Sequence, residues 1–207
     1  MKTILKTLND CNGADELLEK WVDVARKKFI DPVAVLMGIA YGGDVEMTAT
    51  HFKKANGRVF GYDTFSNGHP KHLAKNVTDF EATCMEHWYQ TLGTDKLSYV
   101  YQMGILEELG LDNVILIEGE VDTNSCDFLD KIHLAWLDMD LLVSMENGFN
   151  AVKDNIVKGG YLITHDVEPR DHISGLYELF FDKLIDPKKW ALIESKPDSF
   201  FTVWQRV

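Results

Sequence analysis

Along this chain, short apolar runs alternate with longer stretches in which apolar residues recur every three or four positions. The first kind reads as strands buried on both faces and the second as amphipathic helices, so the pattern is one of βα units. Strands are expected at Val33–Met37, Arg58–Tyr62, Val114–Glu118, His133–Asp138 and Gly160–Thr164. Helices are expected at Asp15–Phe29, Gly43–Ala55, Asn76–Thr91, Lys96–Leu109, Ser144–Ile156 and His172–Ile185, while Thr64–Lys75 reads as loop. After the last helix come two further apolar stretches, Trp190–Glu194 and Phe200–Gln205, joined by Ser195-Lys-Pro-Asp-Ser199. That connector is turn-forming and too short for a helical crossover, which makes the closing pair antiparallel. The expectation is an α/β protein with a mostly parallel, Rossmann-like sheet closed by a C-terminal antiparallel hairpin. Residues 1–207 read as one domain, with 1–31 as an N-terminal helical extension.

Composition supports a packed core and narrows the partners. Of 207 residues 45% are apolar, enough to bury a substantial interior. The formal charge of −12, from 33 acidic and 21 basic residues, repels phosphate backbones and anionic bilayers, so neither nucleic acid nor a membrane is the expected partner. Apolar runs such as Val33–Ala40 fall far short of the roughly 20 residues that span a bilayer. The first ten residues lack a secretory pattern, and a cytoplasmic location is expected. Cys11, Cys84 and Cys126 are odd in number and widely spaced, which suggests neither a disulfide framework nor a thiolate zinc site. A homo-oligomer is compatible with all of this.

Three constellations could carry chemistry. Val33–Met37 runs into Gly38, Gly42 and Gly43 before a helix, where glycines permit a tight turn and the helix start offers unpaired N–H groups to a ligand. Asp63 follows the second strand at about the separation expected of a ribose-binding carboxylate, and the loop-like Phe65-Ser-Asn-Gly-His-Pro70 gives it no helix to cap. Asp138 and Asp140 end the fourth strand, and His165 and Asp166 stand one strand later at the equivalent end. Ligands of open α/β sheets bind outside this edge, so these four groups suit either a cation or a proton transfer beside a substrate hydroxyl. The competing assignment has Asp138 or Asp140 capping the helix near Ser144.

In order and spacing these residues resemble the macrocin O-methyltransferase family of class I methyltransferases, which act on sugar hydroxyls of macrolides and related natural products. The resemblance runs from about Val33 to Val207. It is carried by Gly38-Ile-Ala-Tyr-Gly-Gly43, Gly61-Tyr-Asp-Thr-Phe65, Leu137-Asp-Met-Asp-Leu141 with Ser144, Gly159-Gly-Tyr-Leu-Ile163, Asp166 and Phe201-Thr-Val-Trp204. It implies a methyltransferase three-layer sandwich with a seven-stranded sheet, S-adenosylmethionine as methyl donor, and a magnesium or other divalent ion near the acceptor hydroxyl. Four positions depart from the family pattern: Leu36 replaces a strand-end glutamate, Tyr41 an arginine, Asp44 a small hydroxyl residue, and His165 the first of two aspartates.

On this resemblance Gly38, Ala40, Tyr41, Gly42 and Gly43 would hold the methionine side of the donor, Asp63 with Thr64 its ribose, and the turn at Glu120, Val121 and Asp122 its adenine. Asp138 would border both donor and ion, with Asp166 as second ion ligand and Asp140 in reserve. His165 would be a third ligand or the general base, with His69 as the competing base. The loop Ser66–Lys75 and the helix bearing Trp88 and Tyr89 would shape the pocket of a small-molecule acceptor. Two other readings share part of the pattern. A catalytically inactive binding protein would keep the fold, and an NAD(P)-dependent oxidoreductase would share the glycine turn and ribose aspartate but leave the paired carboxylates and closing hairpin unexplained.

Overall fold

A computed structural model describes residues 5, 13–65, 98–170 and 175–207. Helix α1 (Ala14–Lys28) is followed by β1 (Val33–Met37), α2 (Gly43–Lys53) and β2 (Arg58–Asp63). Then come α3 (Tyr99–Glu108), β3 (Val114–Glu118), β4 (Ile132–Leu137), α4 (Leu142–Val152) and β5 (Ile156–His165). A short helix, α5 (Glu178–Leu184), closes with a wide turn in which Ile185 N–H reaches back five residues to the Phe180 carbonyl. The chain ends in β6 (Trp190–Lys196) and β7 (Phe201–Arg206).

The strands form one seven-stranded sheet in the order β3-β2-β1-β4-β5-β7-β6. All pairs from β3 to β5 are parallel, and β7 is antiparallel to both β5 and β6. Central β1 and β4 are buried throughout because helices cover both faces. Ala34, Leu36, Leu134 and Trp136 point to one side, packing with Leu18 and Val22 of α1, Val45 and Phe52 of α2, and Leu106 of α3. Val35, Met37, Ala135 and Leu137 point to the other, packing with Met145 and Phe149 of α4 and Phe180 of α5. Alternation along each strand thus builds a three-layer sandwich. Helix α1 is part of the first core rather than an appendage, and it also reaches the far edge strand, where Trp21 Nε1 donates to Glu194 at 2.6 Å.

Strand and helix positions follow the sequence closely, with differences at β5 and the last helices: the helix expected to reach Ile156 ends at Val152, and the helix expected to end at Ile185 is described as Glu178–Leu184. β5 begins at Ile156, before the glycine pair that read as its start, because Ile156 already pairs with Ile132; Gly159 (φ 81°) takes up the irregularity between that pair and Leu134↔Tyr161. Helix α4 begins at Leu142, not Ser144: Met145 N–H bonds the Leu141 carbonyl at 2.8 Å, and no side chain caps it. Neither Asp138 nor Asp140 is therefore a helix cap. The expected helix Asn76–Thr91, Trp88 and Tyr89, the loop Ser66–Lys75, His69 and the start of His172–Ile185 lie outside the described residues. No helix among the described residues is long and apolar enough to cross a membrane.

Candidate active site

The parallel strands bring their carboxyl ends to one edge, and the expected site residues lie along it. After β1 the chain turns through three left-handed residues, Gly38 (φ 80°), Ala40 (φ 45°) and Gly42 (φ 79°), before Gly43 opens α2. Gly38 sits against the Asp138 carbonyl so closely that a Cβ there would collide with it. At Gly42 a Cβ would meet the Gln102 side chain and Leu5. Both glycines are thus required by the chain's own packing. Gln102, fully buried on α3, also donates from Nε2 to the Ala40 carbonyl, a tie that nothing in the sequence pattern announces. Tyr41, in the same turn, is buried.

Asp63, at the end of β2, is joined to this turn: its Oδ2 accepts from Ala40 N–H at 2.8 Å, and its Oδ1 from Phe65 N–H at 3.1 Å. The Thr64 hydroxyl approaches Oδ1 at 3.4 Å. Although it caps no helix, Asp63 has a local structural role the sequence does not reveal. An ionised carboxylate offers about four acceptor positions, and backbone groups of both this turn and residues 64–65 take up most of them. Burial raises its pKa, opposed by the backbone N–H groups. The Asp63 carbonyl in turn accepts from Gly119 N–H at 2.9 Å, which sets the turn bearing Glu120, Val121 and Asp122 beside Asp63. Glu120 and Asp122 are exposed, and Asn147 of α4 holds the Val121 carbonyl at 3.2 Å.

Past β4 and β5, Asp138, His165 and Asp166 converge, each offering one ligand atom within 4.8 Å of the others. His165 Nδ1 lies 3.3 Å from Asp138 Oδ1 and 3.1 Å from Asp166 Oδ1. Neighbouring ligands of an octahedral ion with bonds near 2.1 Å are ~3 Å apart, so these spacings fit a divalent cation. His165 is only 5% exposed, and its Nε2 has no hydrogen-bond partner. Burial works against a charged ring there, but the charges of and hydrogen bonds to Asp138 and Asp166 outweigh it and push the imidazole up to about 11. The two carboxylates thus favour the charged ring, in an arrangement open to His165 both as an ion ligand and as a proton acceptor. Asp140 (φ 60°) and Asp166 (φ 63°) both occupy left-handed backbone, Asp166 pinned by its N–H to the Phe200 carbonyl at 2.8 Å. Asp140 lies outside the three-residue group and is exposed as a residue. Its carboxyl is nevertheless turned inward, where desolvation and the charges of Asp166 and Asp138 hold it well above the usual range.

Asp44, in the first turn of α2, is a member of this edge that its position at a helix start disguises. It is 5% exposed, and burial followed by the charges of Asp15 and Asp138 raises its carboxyl from 3.8 to about 8. Between those values the folded chain retains a proton that the unfolded chain releases, so stability falls as pH rises through that window. Asp44→Asn is expected to melt with the wild type near pH 4 and several degrees higher at pH 8. A melting difference that does not grow with pH overturns the assignment.

No protein-family model matches the sequence, and no curated protein matches it. Solved structures do match in fold. The O-methyltransferase NovP superposes with a TM-score of 0.67 at 17% identity, over 93% of this chain and 79% of that one. The calicheamicin methyltransferase CalS11 gives 0.61 at 16% identity, over 93% and 77%. An rRNA methylase from Streptococcus thermophilus gives 0.56 at 14% identity, over 91% and 95%. The chain has the Rossmann-like fold of class I S-adenosylmethionine-dependent methyltransferases.

Proposed function

We propose that this protein transfers a methyl group from S-adenosylmethionine to a hydroxyl of a small molecule, a sugar or natural product of the kind that the macrocin-type resemblance implies. The observation that carries the reading is the continuous edge on which the glycine turn, Asp63, the Glu120–Asp122 turn and the Asp138–His165–Asp166 group are tied to one another. Similar folds serve both rRNA and small acceptors, and charge favours the latter: the net charge is −12, and Asp138 and Asp166 face a single imidazole at this edge. Such an edge repels a phosphate backbone.

In the reaction the S–CH3 bond breaks as the O–CH3 bond forms, and the acceptor oxygen loses its proton. The protein's task is to hold that oxygen on the methyl axis and to receive the proton. Asp63 positions the donor ribose, and the glycine turn positions its methionine end. Asp138, His165 and Asp166 would hold a divalent ion, which supplies Lewis-acid polarisation of the hydroxyl when bound. His165 serves as the third ligand or as the proton acceptor, with His69 as the competing base.

Calorimetric titration with S-adenosylmethionine and its demethylated product tests the reading. Both should bind in preference to nicotinamide dinucleotides; tight NAD binding with no response to either methyl-donor species overturns it. In a folded Asp63→Ala protein, loss of a charge-assisted ribose contact should weaken donor binding about tenfold to a hundredfold. Unchanged affinity there removes Asp63 from the site. Donor binding without transfer across an acceptor screen would favour the inactive binding protein.

A further inference from the structure

Two clefts open at the amino-terminal end of the sheet, opposite the carboxylate edge. The larger, about 610 Å³, contains cations that are partly committed: Lys53 pairs with Asp112 at 2.7 Å, and Asn56 donates to Asp31 at 3.0 Å across the same wall. The smaller, about 190 Å³, lies between α4, α5 and the β6–β7 pair, and it is differently built. Lys153, Lys183, Lys189 and Arg206 line it against only Asp154 and Asp186. None of the four cations joins an ion pair among the described residues.

Two of these cations are set in place by aromatic rings. The Arg206 guanidinium lies 5.1 Å from the centre of the Trp190 ring, and the Lys153 ammonium lies 5.9 Å from that of Phe149. Asp186 is occupied in a turn, its Oδ1 accepting from Lys188 N–H at 2.9 Å. Lys153 at the end of α4 and Lys183 in the last turn of α5 also complement helix carbonyls, an ordinary reason for lysine there. That reason does not extend to Lys189, in the turn before β6, or to Arg206, at the end of β7. Lys153 also donates to Asn150 Oδ1, a neutral partner that leaves its charge uncompensated; such a convergence of positive groups in a concavity, on a chain of net charge −12, calls for an anion of about two charges.

We propose that this cleft binds a phosphate dianion, free or as the phosphomonoester of a small molecule. The site is independent of the donor edge. It is tested by calorimetry and amide chemical-shift mapping at low ionic strength and about pH 8, where phosphate monoesters are dianions. The probes are inorganic phosphate, a simple alkyl phosphate and chloride. Saturable binding of phosphate is expected, with shifts centred on Phe149–Lys153, Lys189 and Val207, weakening as salt shortens the Debye length. Alkyl phosphate binding as well as phosphate identifies a monoester site, and binding of inorganic phosphate alone identifies the free ion. The Lys183→Gln/Arg206→Gln double variant should lose about tenfold in affinity, while Lys188→Gln, outside the cleft, should lose none. Phosphate binding no better than chloride, or equal affinity in a folded double variant, overturns the proposal. Neither result touches the methyl-transfer reading, whose test uses the other end of the sheet.

Discussion

A Gly38→Ala protein is expected to be destabilised by about 3–5 kcal/mol, with the closest approach of an added Cβ among the described glycines. Two costs combine. Gly38 has φ 80°, where an L-residue costs roughly 1–2 kcal/mol, and its Cβ would collide with the backbone carbonyl of Asp138. That carbonyl cannot retreat freely, because Asp138 N–H is bonded to the Met37 carbonyl at 2.9 Å, continuing the β1–β4 ladder. In a chain of this size each kcal/mol is about 2–4 °C, so the melting temperature should drop by about 6–20 °C. Gly110→Ala supplies the control: its φ is 67° but nothing lies within 4 Å of the added carbon, so it should show the conformational cost alone. Equal melting shifts for the two variants would show that the approach to Asp138 does not constrain the fold.

Divalent-ion binding should fall about tenfold to a hundredfold in either Asp138→Asn or Asp166→Asn, because each removes one charged oxygen from a three-ligand group. Methyl transfer should fall with it and recover as metals are restored after chelation. The imidazole makes the choice of ion informative. A mixed oxygen and nitrogen shell tolerates manganese, iron, cobalt or zinc more readily than magnesium, and His165→Asp should shift preference towards magnesium. Since the imidazole holds a proton up to about 11, an ion must displace that proton, and its affinity should rise with pH by up to about tenfold per unit. Calorimetry in buffers of different ionisation enthalpy measures the released proton directly. Full transfer in chelator eliminates the ion; if His165→Ala is also fully active, His69 becomes the next candidate for the base.

The periodicity of apolar residues located nearly every described strand and helix, because sheet strands covered on both faces leave uninterrupted apolar runs. The short Ser195–Ser199 connector was enough to establish an antiparallel close. What the pattern could not show was which polar groups the fold consumes. Asp63 reads as an open ribose ligand, yet two backbone N–H groups from separate segments already bind it. Asp44 looks like an ordinary first-turn helix acid, and only the packing of α1 over α2 buries it beside Asp138. His165 has an unperturbed imidazole's chemistry on paper; its flanking carboxylates reverse that, and their closeness depends on the parallel alignment of β4 with β5.

Strand order also governs how this chain emerges from a ribosome. β1 is apolar throughout and pairs on one side with β2, but its other neighbour, β4, lies a hundred residues later: Val35 is opposite Ala135. At synthesis rates of roughly 5–20 residues per second, that flank of β1 stays without its native partner for about 5–20 seconds. The nascent chain therefore carries an open, apolar strand edge suited to pairing with other chains. β7 prolongs the exposure at the far side, since it is the last strand made yet lies between β5 and β6 rather than at the rim. The order of the strands, rather than their composition, thus sets how long the β1 edge waits for its native neighbour.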